Sequence, residues 1–320
     1  MPSGAMPSPW AVAASRLPEV FLSMPSMLRI RACLLLALLV AAPAFALEPV
    51  TLQLKWRNAF QFAGYYTALW KGYYRDAGFD VTIKEAEPGQ NVVDEVVAGR
   101  AQFGVGTSSL LLAWHGGKPV VVLGVIFQHS PYVVVARQDA GIGSIHDIVD
   151  KRLMLEPLSD EILAYLQREG IPMNRVKRLE HTFRVEDLID GRTDAIAAYV
   201  TNQPFHLRRA GVPYHVFSPR SAGVDFYGDN LFTSKGLLER QPDRAQAFRD
   251  ASMRGWEYAM AHPDEIVAMI LERINTQGLS AEYLRFEAAQ MRELLQPNLV
   301  QLGYMHPGRW RHIADMYAEI

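Results

Sequence analysis

The chain has 320 residues, of which 49% are hydrophobic and 21% charged, with a formal net charge of -2. That length and balance suit a globular protein built as one large domain or two lobes. No basic tract stands out, so nucleic acid is not an expected partner.

The amino terminus has the pattern of a targeting segment. Arg29 and Arg31 precede the apolar run Ala32 to Val40, and Ala44-Phe45-Ala46 forms an A-x-A cleavage signal. A signal peptide normally starts just before its basic residues, at Met24 or Met27 here, so residues 1–26 are expected to be an upstream over-call of the start codon. Residues 27–46 are then the signal peptide, cleaved after Ala46, with a retained anchor as the alternative. The apolar run is shorter than a membrane span requires. The single cysteine, Cys33, lies inside this segment. The mature chain would carry none, which excludes disulfides, thiolate metal sites and cysteine nucleophiles. A lipid anchor at Cys33 is not expected, because Arg31 sits two residues before it and the apolar core follows it. The expected product is an exported soluble protein, periplasmic where the cell has two membranes.

Beyond residue 46, Val50, Leu52, Leu54 and Trp56 alternate with Thr51, Gln53 and Lys55, the period of a half-buried strand. Phe62, Tyr66, Trp70, Tyr73 and Ala77 then recur at helical spacing, with Gly78 as the stop. Between them, Arg57-Asn58-Ala59-Phe60-Gln61 is a polar and aromatic loop where a strand's carboxyl end meets a helix's amino end, the usual ligand position in α/β folds. The aromatic stripe of the helix reads either as core packing or as a ligand platform. Loop residues Trp56, Asn58, Phe60 and Gln61 gain less from core burial and suit a flat polar ligand.

Phe79 to Lys84 predicts a second strand, Asn91 to Ala98 a helix stopped by Gly99, Gln102 to Val105 a third strand, and Ser108 to Trp114 a helix. After the turn Gly116-Gly117-Lys118-Pro119 come two apolar β-runs, Val120 to Phe127 and Tyr132 to Ala136. The pattern restarts at Ser144-Ile145-His146-Asp147, which resembles a capping box. Strands are expected at Arg152 to Leu155, Val176 to His181, Ala195 to Tyr199 and Tyr214 to Phe217, with helices between them. Such alternation implies a mainly parallel sheet in each unit. From Lys235 the chain is helical: Pro242 to Ala261, Pro263 to Ile274, Ser280 to Leu294 and Pro307 to Ile320. These helices have no strands of their own to cover and are expected to return to the first unit. The resulting expectation is an α/β fold of two lobes, 47–135 and 136–222, with 223–320 returning to the first. Two crossings, near Tyr132 to Ala136 and near Phe217 to Phe226, would form a hinge that closes on a ligand.

Leu54-Lys55-Trp56, Gly64-Tyr65-Tyr66-Thr67-Ala68, Lys71-Gly72-Tyr73-Tyr74, Gly78-Phe79-Asp80-Val81, the stretch Val96 to Gly104, and Phe226-Tyr227-Gly228-Asp229-Asn230 resemble the substrate-binding proteins of the thiamine-pyrimidine type. These carry the NMT1/THI5-like (SsuA/THI5-like) domain, and the resemblance runs from about Val50 to Ile320. It implies the bilobed periplasmic-binding-protein fold, type II. The family also contains an enzymatic branch that makes the thiamine pyrimidine from pyridoxal phosphate and one of its own histidines, with a lysine holding the cofactor and a cysteine-rich segment implicated with iron. The lysine position falls on Gly106 and the histidine position on Leu110, and the cysteine-rich segment falls near Phe226 to Asn230 without a cysteine. Without an amine there is no Schiff base, and without the histidine no ring donor. The resemblance therefore implies a binder, with no catalytic residues and no cofactor. The segments Phe127 to Tyr132 and Arg309 to Ala314 are similar to a subgroup that serves as sensory domains of membrane-bound kinases and cyclases. The chain is expected either to act as a free binding protein or to continue past Ile320 into such a module.

Other chemistry finds little support. Gly104-Val105-Gly106-Thr107-Ser108-Ser109 resembles a dinucleotide loop superficially, but the third glycine and any Gly-Lys-Ser/Thr are missing. It reads better as a ligand-facing helix start, where Thr107, Ser108 and backbone N–H groups donate. Ser108 lacks the second glycine of a nucleophile elbow, no His-Glu-x-x-His pair occurs, and no metal site is expected. Among the scattered acids Glu156, Asp160, Glu161, Asp225 and Asp229, Glu156 and Asp225 are expected to face the cleft.

The sequence thus predicts a monomeric solute-binding protein for a small, flat, nitrogen-containing ligand such as a thiamine-pyrimidine precursor, working with an ABC transporter permease or a membrane sensor. Trp56 and Tyr227 are expected to stack on the ligand. Asn58, Gln61, Thr107, Ser108, Gln128, Glu156, Tyr199 and Asp225 would supply hydrogen bonds, with Phe60 and Tyr65 lining the site.

Overall fold

The computed structural model describes residues 46–319, so the expected targeting segment lies, except for Ala46, outside the described residues. The alternating stretch forms strand β1 (Glu48–Gln53), paired in parallel with β2 (Phe79–Lys84), Val50 opposite Val81 and Leu52 opposite Ile83. The ladder stops sooner than the alternation suggests. The Gln53 side chain donates to the Leu54 and Glu85 carbonyls at 3.1 and 3.0 Å, and Leu54 to Trp56 continue as buried irregular chain. After a 3₁₀ turn at Phe60–Phe62 comes helix α1 (Ala63–Trp70), separated from α2 (Tyr73–Asp76) by Gly72 at φ +78°. The single long helix expected to run to Ala77 is therefore broken by a glycine in the left-handed region, where any Cβ would be strained.

The chain continues through α3 (Val92–Val97), capped by the Asn91 side chain, β3 (Phe103–Gly106), α4 (Leu110–His115) and β4 (Val120–Val125). It then enters a second sheet with β5 (Tyr132–Arg137), β6 (Arg152–Leu155), α5 (Asp160–Arg168), β7 (Lys177–Glu180), α6 (Glu186–Ile189), β8 (Ala195–Tyr199), α7 (Gln203–Arg209) and β9 (Tyr214–Phe217). The Ser144–Asp147 capping box forms, and opens a 3₁₀ turn. Strand β10 (Asn230–Ser234) returns to the first sheet, followed by α8 (Lys235–Arg240), α9 (Pro242–Ala261), α10 (Pro263–Arg273), α11 (Ala281–Leu295) and α12 (Pro307–Ala318).

The two five-stranded sheets have the same plan, β2-β1-β3-β10-β4 and β7-β6-β8-β5-β9. Neither is all parallel. β10 runs antiparallel to β3 and β4, and β5 runs antiparallel to β8 and β9. Each is the first strand after the chain changes sheets, so it arrives without the crossover helix that forces a parallel sense. The first crossing lies at 126–131, ahead of Tyr132–Ala136, which belongs to β5; the second lies at 218–229. The crossings run side by side: the Gly228 N–H donates to the Phe127 carbonyl at 3.0 Å, and the Ser130 N–H to the Phe226 carbonyl at 2.9 Å. The result is two α/β lobes on a double-stranded hinge.

Among the carboxy-terminal helices, α9 packs on the first sheet. Phe248 of α9 stacks on Phe103 with centroids 3.8 Å apart and on Tyr74 at 4.8 Å. α9 also crosses α1 where glycines meet, since a Cβ on Gly255 would collide with the Gly64 carbonyl and a Cβ on Gly64 with the Trp256 ring. Of the stripe, Phe62 and Tyr66 are buried, and Trp70, Tyr73 and Ala77 are half-buried against the same core, so the stripe is core packing. Among the described residues no helix is long and apolar enough to cross a membrane.

Candidate ligand-binding cleft

Immediately beyond β1, Lys55 and Trp56 emerge at the carboxyl end of the first sheet, facing the second lobe. The Trp56 ring lies against Phe183, with centroids 3.9 Å apart and planes 40° apart, and forms a T-shaped pair with His181 at 5.3 Å. Phe183 is held at φ +64°, an uncommon conformation for a residue with a side chain, and its N–H donates to His181 Nδ1 at 2.9 Å. Accepting that bond leaves the ring proton on Nε2, and burial lowers the His181 pKa, so the imidazole is neutral.

Below this aromatic contact lies a polar floor. Asp229, fully buried at the end of the second crossing, accepts from Gln61 Nε2 at 2.7 Å and from the Tyr199 hydroxyl at 2.7 Å, one bond from each lobe. Burial raises its pKa, opposed by Lys55 and by the two donors. Lys55 Nζ stands 4.5 Å from the Tyr199 ring centroid and 5.3 Å from that of Tyr132, a cation facing π-clouds of the other lobe. Lys55, Trp56, Gln61, Glu156, Tyr199 and Gln203 enclose a cavity of about 10 Å³, the space of one water. A second cavity of about 320 Å³ opens beside it, sharing Trp56, Asn202 and Gln203 and extending along Arg57, Arg184, Glu186 and Gln277.

Other bonds tie the lobes together in this closed arrangement. The hydroxyls of Thr107 and Ser109 both donate to the carbonyl of Leu158, at 2.7 and 3.0 Å, and Leu158 is itself at φ +63°. The backbone strain of the second lobe's cleft face is thus concentrated at Leu158 and Phe183, where it meets the first lobe.

The residues expected at the site separate into two sets. Trp56, Gln61, Glu156 and Tyr199 line the inner cavity, and Thr107 bridges the lobes. Asn58 is spent on its own loop: its side chain accepts from the Tyr66 hydroxyl, its N–H donates to Glu85 at 2.6 Å, and its carbonyl accepts from Gln277 at 2.7 Å. Phe60 is fully buried, its N–H donating to Glu287 Oε2 at 2.7 Å, and Tyr65 packs edge-on against Trp256. Ser108 donates to the Tyr227 carbonyl at 2.7 Å, and Gln128 to the Tyr304 carbonyl at 3.0 Å, both away from the cleft. Asp225 does not face the cleft: it meets His129 at 2.8 Å, Arg309 at 3.4 Å and Arg220 at 3.7 Å beside the hinge. Burial there disfavours ionisation, but the His129 hydrogen bond and the Arg309 and Arg220 guanidinium groups outweigh it and hold the carboxyl below its ordinary value. Tyr227 is also turned away, its hydroxyl accepting from the His306 N–H at 2.9 Å and its ring under Arg309. Sequence reading passed over Lys55, His181, Phe183, Asn202, Gln203 and Asp229 as site residues. Lys55 and Asp229 stood inside stretches that carried the resemblance; the others carried no pattern of their own.

Two mixed sheets, a paired hinge and a cleft between the lobes define the class of bilobed ligand-binding proteins. Alkanesulfonate-binding protein SsuA from Xanthomonas axonopodis pv. citri superimposes with a TM-score of 0.67 over 86% of this chain and 94% of that one, at 13% identity, which establishes the fold. The chain belongs to the family described as NMT1/THI5 like, which matches residues 59–266. It is 26% identical over 271 residues to the riboflavin-binding protein RibY of Chloroflexus aurantiacus, covering 81% of this chain and 75% of that protein. It is 23% identical over 233 residues to the formylaminopyrimidine-binding protein of Halalkalibacterium halodurans, covering 71% of each. A 4-amino-5-hydroxymethyl-2-methylpyrimidine phosphate synthase of Legionella pneumophila is 24% identical over 230 residues, covering 70% of this chain and 73% of the synthase.

Proposed function

We propose that this chain is an exported solute-binding protein that captures a small, flat, nitrogen-containing heterocycle, of the kind represented by thiamine-pyrimidine precursors, and presents it to an ABC importer or a membrane-bound sensor. One observation carries the reading: the Trp56 ring meets Phe183 across the two lobes and also lines, with Lys55, Gln61, Glu156 and Tyr199, the small polar cavity between them. Opening the hinge by about the thickness of one ring, about 3.5 Å, converts that contact into a slot with an aromatic wall on each side. The floor then meets the ring edge with both donors and acceptors.

Turnover is not part of the proposal. At the positions corresponding to the synthase lysine and histidine this chain has Gly106 and Leu110, and the Leu110 side chain lies over Gly106, 3.0 Å from where a Cβ would stand. These residues supply neither an amine nor an imidazole.

The test is Trp56→Ala, with 4-amino-5-hydroxymethyl-2-methylpyrimidine and riboflavin as calorimetric probes. A ring stacked on Trp56 predicts a loss of about 1–3 kcal/mol in binding with little change in denaturant stability. If Trp56 is only core, the variant instead loses about 3–5 kcal/mol of folding free energy with affinity intact, and the slot reading fails.

A further inference from the structure

Two carboxylates and one ammonium are buried around the inner cavity: Glu156 and Lys55 in its wall, and Asp229 behind Gln61 and Tyr199. They are not served alike. Asp229 accepts from Gln61 on one oxygen and from Tyr199 on the other, and Lys55 is the cation that opposes the rise in its pKa. Glu156 is only 8% exposed, yet no donor of the described residues stands in hydrogen-bonding geometry to its carboxylate and no cation pairs with it. The Ser159 hydroxyl donates to the Glu156 backbone carbonyl instead, at 2.7 Å. The neighbouring Tyr132 hydroxyl, also buried, is likewise without a hydrogen-bond partner. Building on the function proposed above, we infer that Glu156 is the specificity-determining residue of the cleft: the ligand edge that enters the inner cavity carries a proton on nitrogen, and a neutral base takes that proton up from solvent as it binds.

The chemistry of the wall sets this requirement. A buried carboxylate is tolerated when a donor or a cation meets it, and a ring filling the slot excludes the water that would otherwise do so. A ligand edge of acceptors alone would set lone pairs against Glu156, and an anion would meet two carboxylates for one ammonium. A neutral N–H would supply a hydrogen bond but leave the charge unbalanced. A protonated ring nitrogen supplies both in one charge-assisted bond. No other group facing Glu156 takes over the task. Burial raises the pKa of Tyr132 and Tyr199, so both stay neutral, and it lowers that of His181, which is neutral too. Lys55 faces the rings of these two tyrosines and shares its charge with Asp229. The complex then holds one proton more than the free partners. Affinity therefore falls as pH rises above the ligand's own pKa, by up to about tenfold per pH unit.

Calorimetry with 4-amino-5-hydroxymethyl-2-methylpyrimidine, an aminated ring base, tests this between about pH 7 and 8.5. Titrations in phosphate and in Tris, which differ in their heat of ionisation, should report uptake of one proton, and affinity should fall at least about fivefold per pH unit. Glu156→Gln, nearly isosteric, should bind about tenfold more weakly at pH 7 and vary by less than about twofold across the range. Its denaturant midpoint shows that it is folded, and the two-buffer titration of the unmodified protein decides the proton whatever the variant does. A pH slope that survives Glu156→Gln would put the proton elsewhere and overturn the assignment. Binding without proton uptake would overturn the proton requirement while leaving the heterocycle reading standing. So would tighter binding of riboflavin, whose ring has no basic nitrogen in this range. Ethanesulfonate, an anion, should not compete with the pyrimidine, and competition would overturn the charge selection. If neither heterocycle binds, both readings fail.

Discussion

The two lobes share a strand order but supply the cleft in opposite ways. The first lobe contributes Lys55, Trp56 and Gln61 from a single turn of chain after β1, with Asp229 set down beside them by the returning crossing. The second contributes Glu156, Phe183 and Tyr199 from three separate strand ends. The first lobe is also the more heavily covered, since α9 packs against α1 and Phe248 anchors its aromatic core. A rigid half that holds the floor thus faces a lighter half whose contact points, Leu158 and Phe183, sit in strained backbone. Strain of this kind costs of the order of 1–3 kcal/mol per residue and persists where the surroundings enforce it. Here the lobe-to-lobe contacts help to enforce it, so ligand entry and relief of strain can be coupled.

The rigidity of the first lobe can be attacked most directly at its glycine crossing. Gly255→Ala places a Cβ against the Gly64 carbonyl, backbone that cannot rotate away. The expected cost is about 3 kcal/mol, the upper part of the range for overpacking, read as a lower denaturant midpoint. A loss under about 1 kcal/mol would mean that α1 and α9 separate easily and that the first lobe is not the stiff half.

Each lobe also holds one glutamate whose pKa burial raises strongly, which allows the halves to be compared by pH. Burial raises Glu287 of α11 from the ordinary 4.5 to about 8, and Glu161 of α5 likewise to about 8. With the folded-state pKa raised, the native protein holds protons that the unfolded chain has released. Stability is therefore fully present below about pH 4.5 and is lost progressively as pH rises towards about 8. Each group can contribute at most about 1.4 kcal/mol per pH unit. Glu287→Gln and Glu161→Gln should each flatten this decline in melts taken from pH 5 to 8, with Glu287→Gln retaining the acceptor for the Phe60 N–H. An unchanged slope in either variant would show that its carboxyl ionises normally in the fold.

What the sequence displayed follows from the same asymmetry. Strand and helix periods are local, so most strands and helices of both sheets and the Ser144 capping box were legible. The sense of β5 and β10 was not, because it depends on where a strand enters a sheet and not on its own residues. In the cleft, Trp56 and Gln61 announced themselves as aromatic and amide residues in a loop. Phe183 looked like any loop phenylalanine, since its role arises only when a residue more than 120 positions away is brought against it. The choice between Asp225 and Asp229 failed for a related reason. They stand four residues apart on one crossing, and only the fold assigns one to the floor and the other to the ion cluster beside the hinge.

Tyr227 offers the finest test of that separation, because sequence alone paired it with Trp56 as a stacking residue. Its ring lies between Arg309 and Trp310, and its hydroxyl accepts from the His306 N–H. Tyr227→Phe keeps both ring contacts and deletes only the acceptor, leaving one N–H without its partner. The expected cost is about 0.5–1.5 kcal/mol of stability, the net worth of a typical hydrogen bond, with ligand affinity unchanged within about twofold, or about 0.4 kcal/mol. The contrast with Trp56→Ala is then one of kind: loss of affinity at little cost in stability for the tryptophan, and loss of stability at no cost in affinity for the tyrosine. A tenfold weaker ligand affinity in Tyr227→Phe, about 1.4 kcal/mol, would return this ring to the binding machinery and move the site from between the lobes towards the hinge.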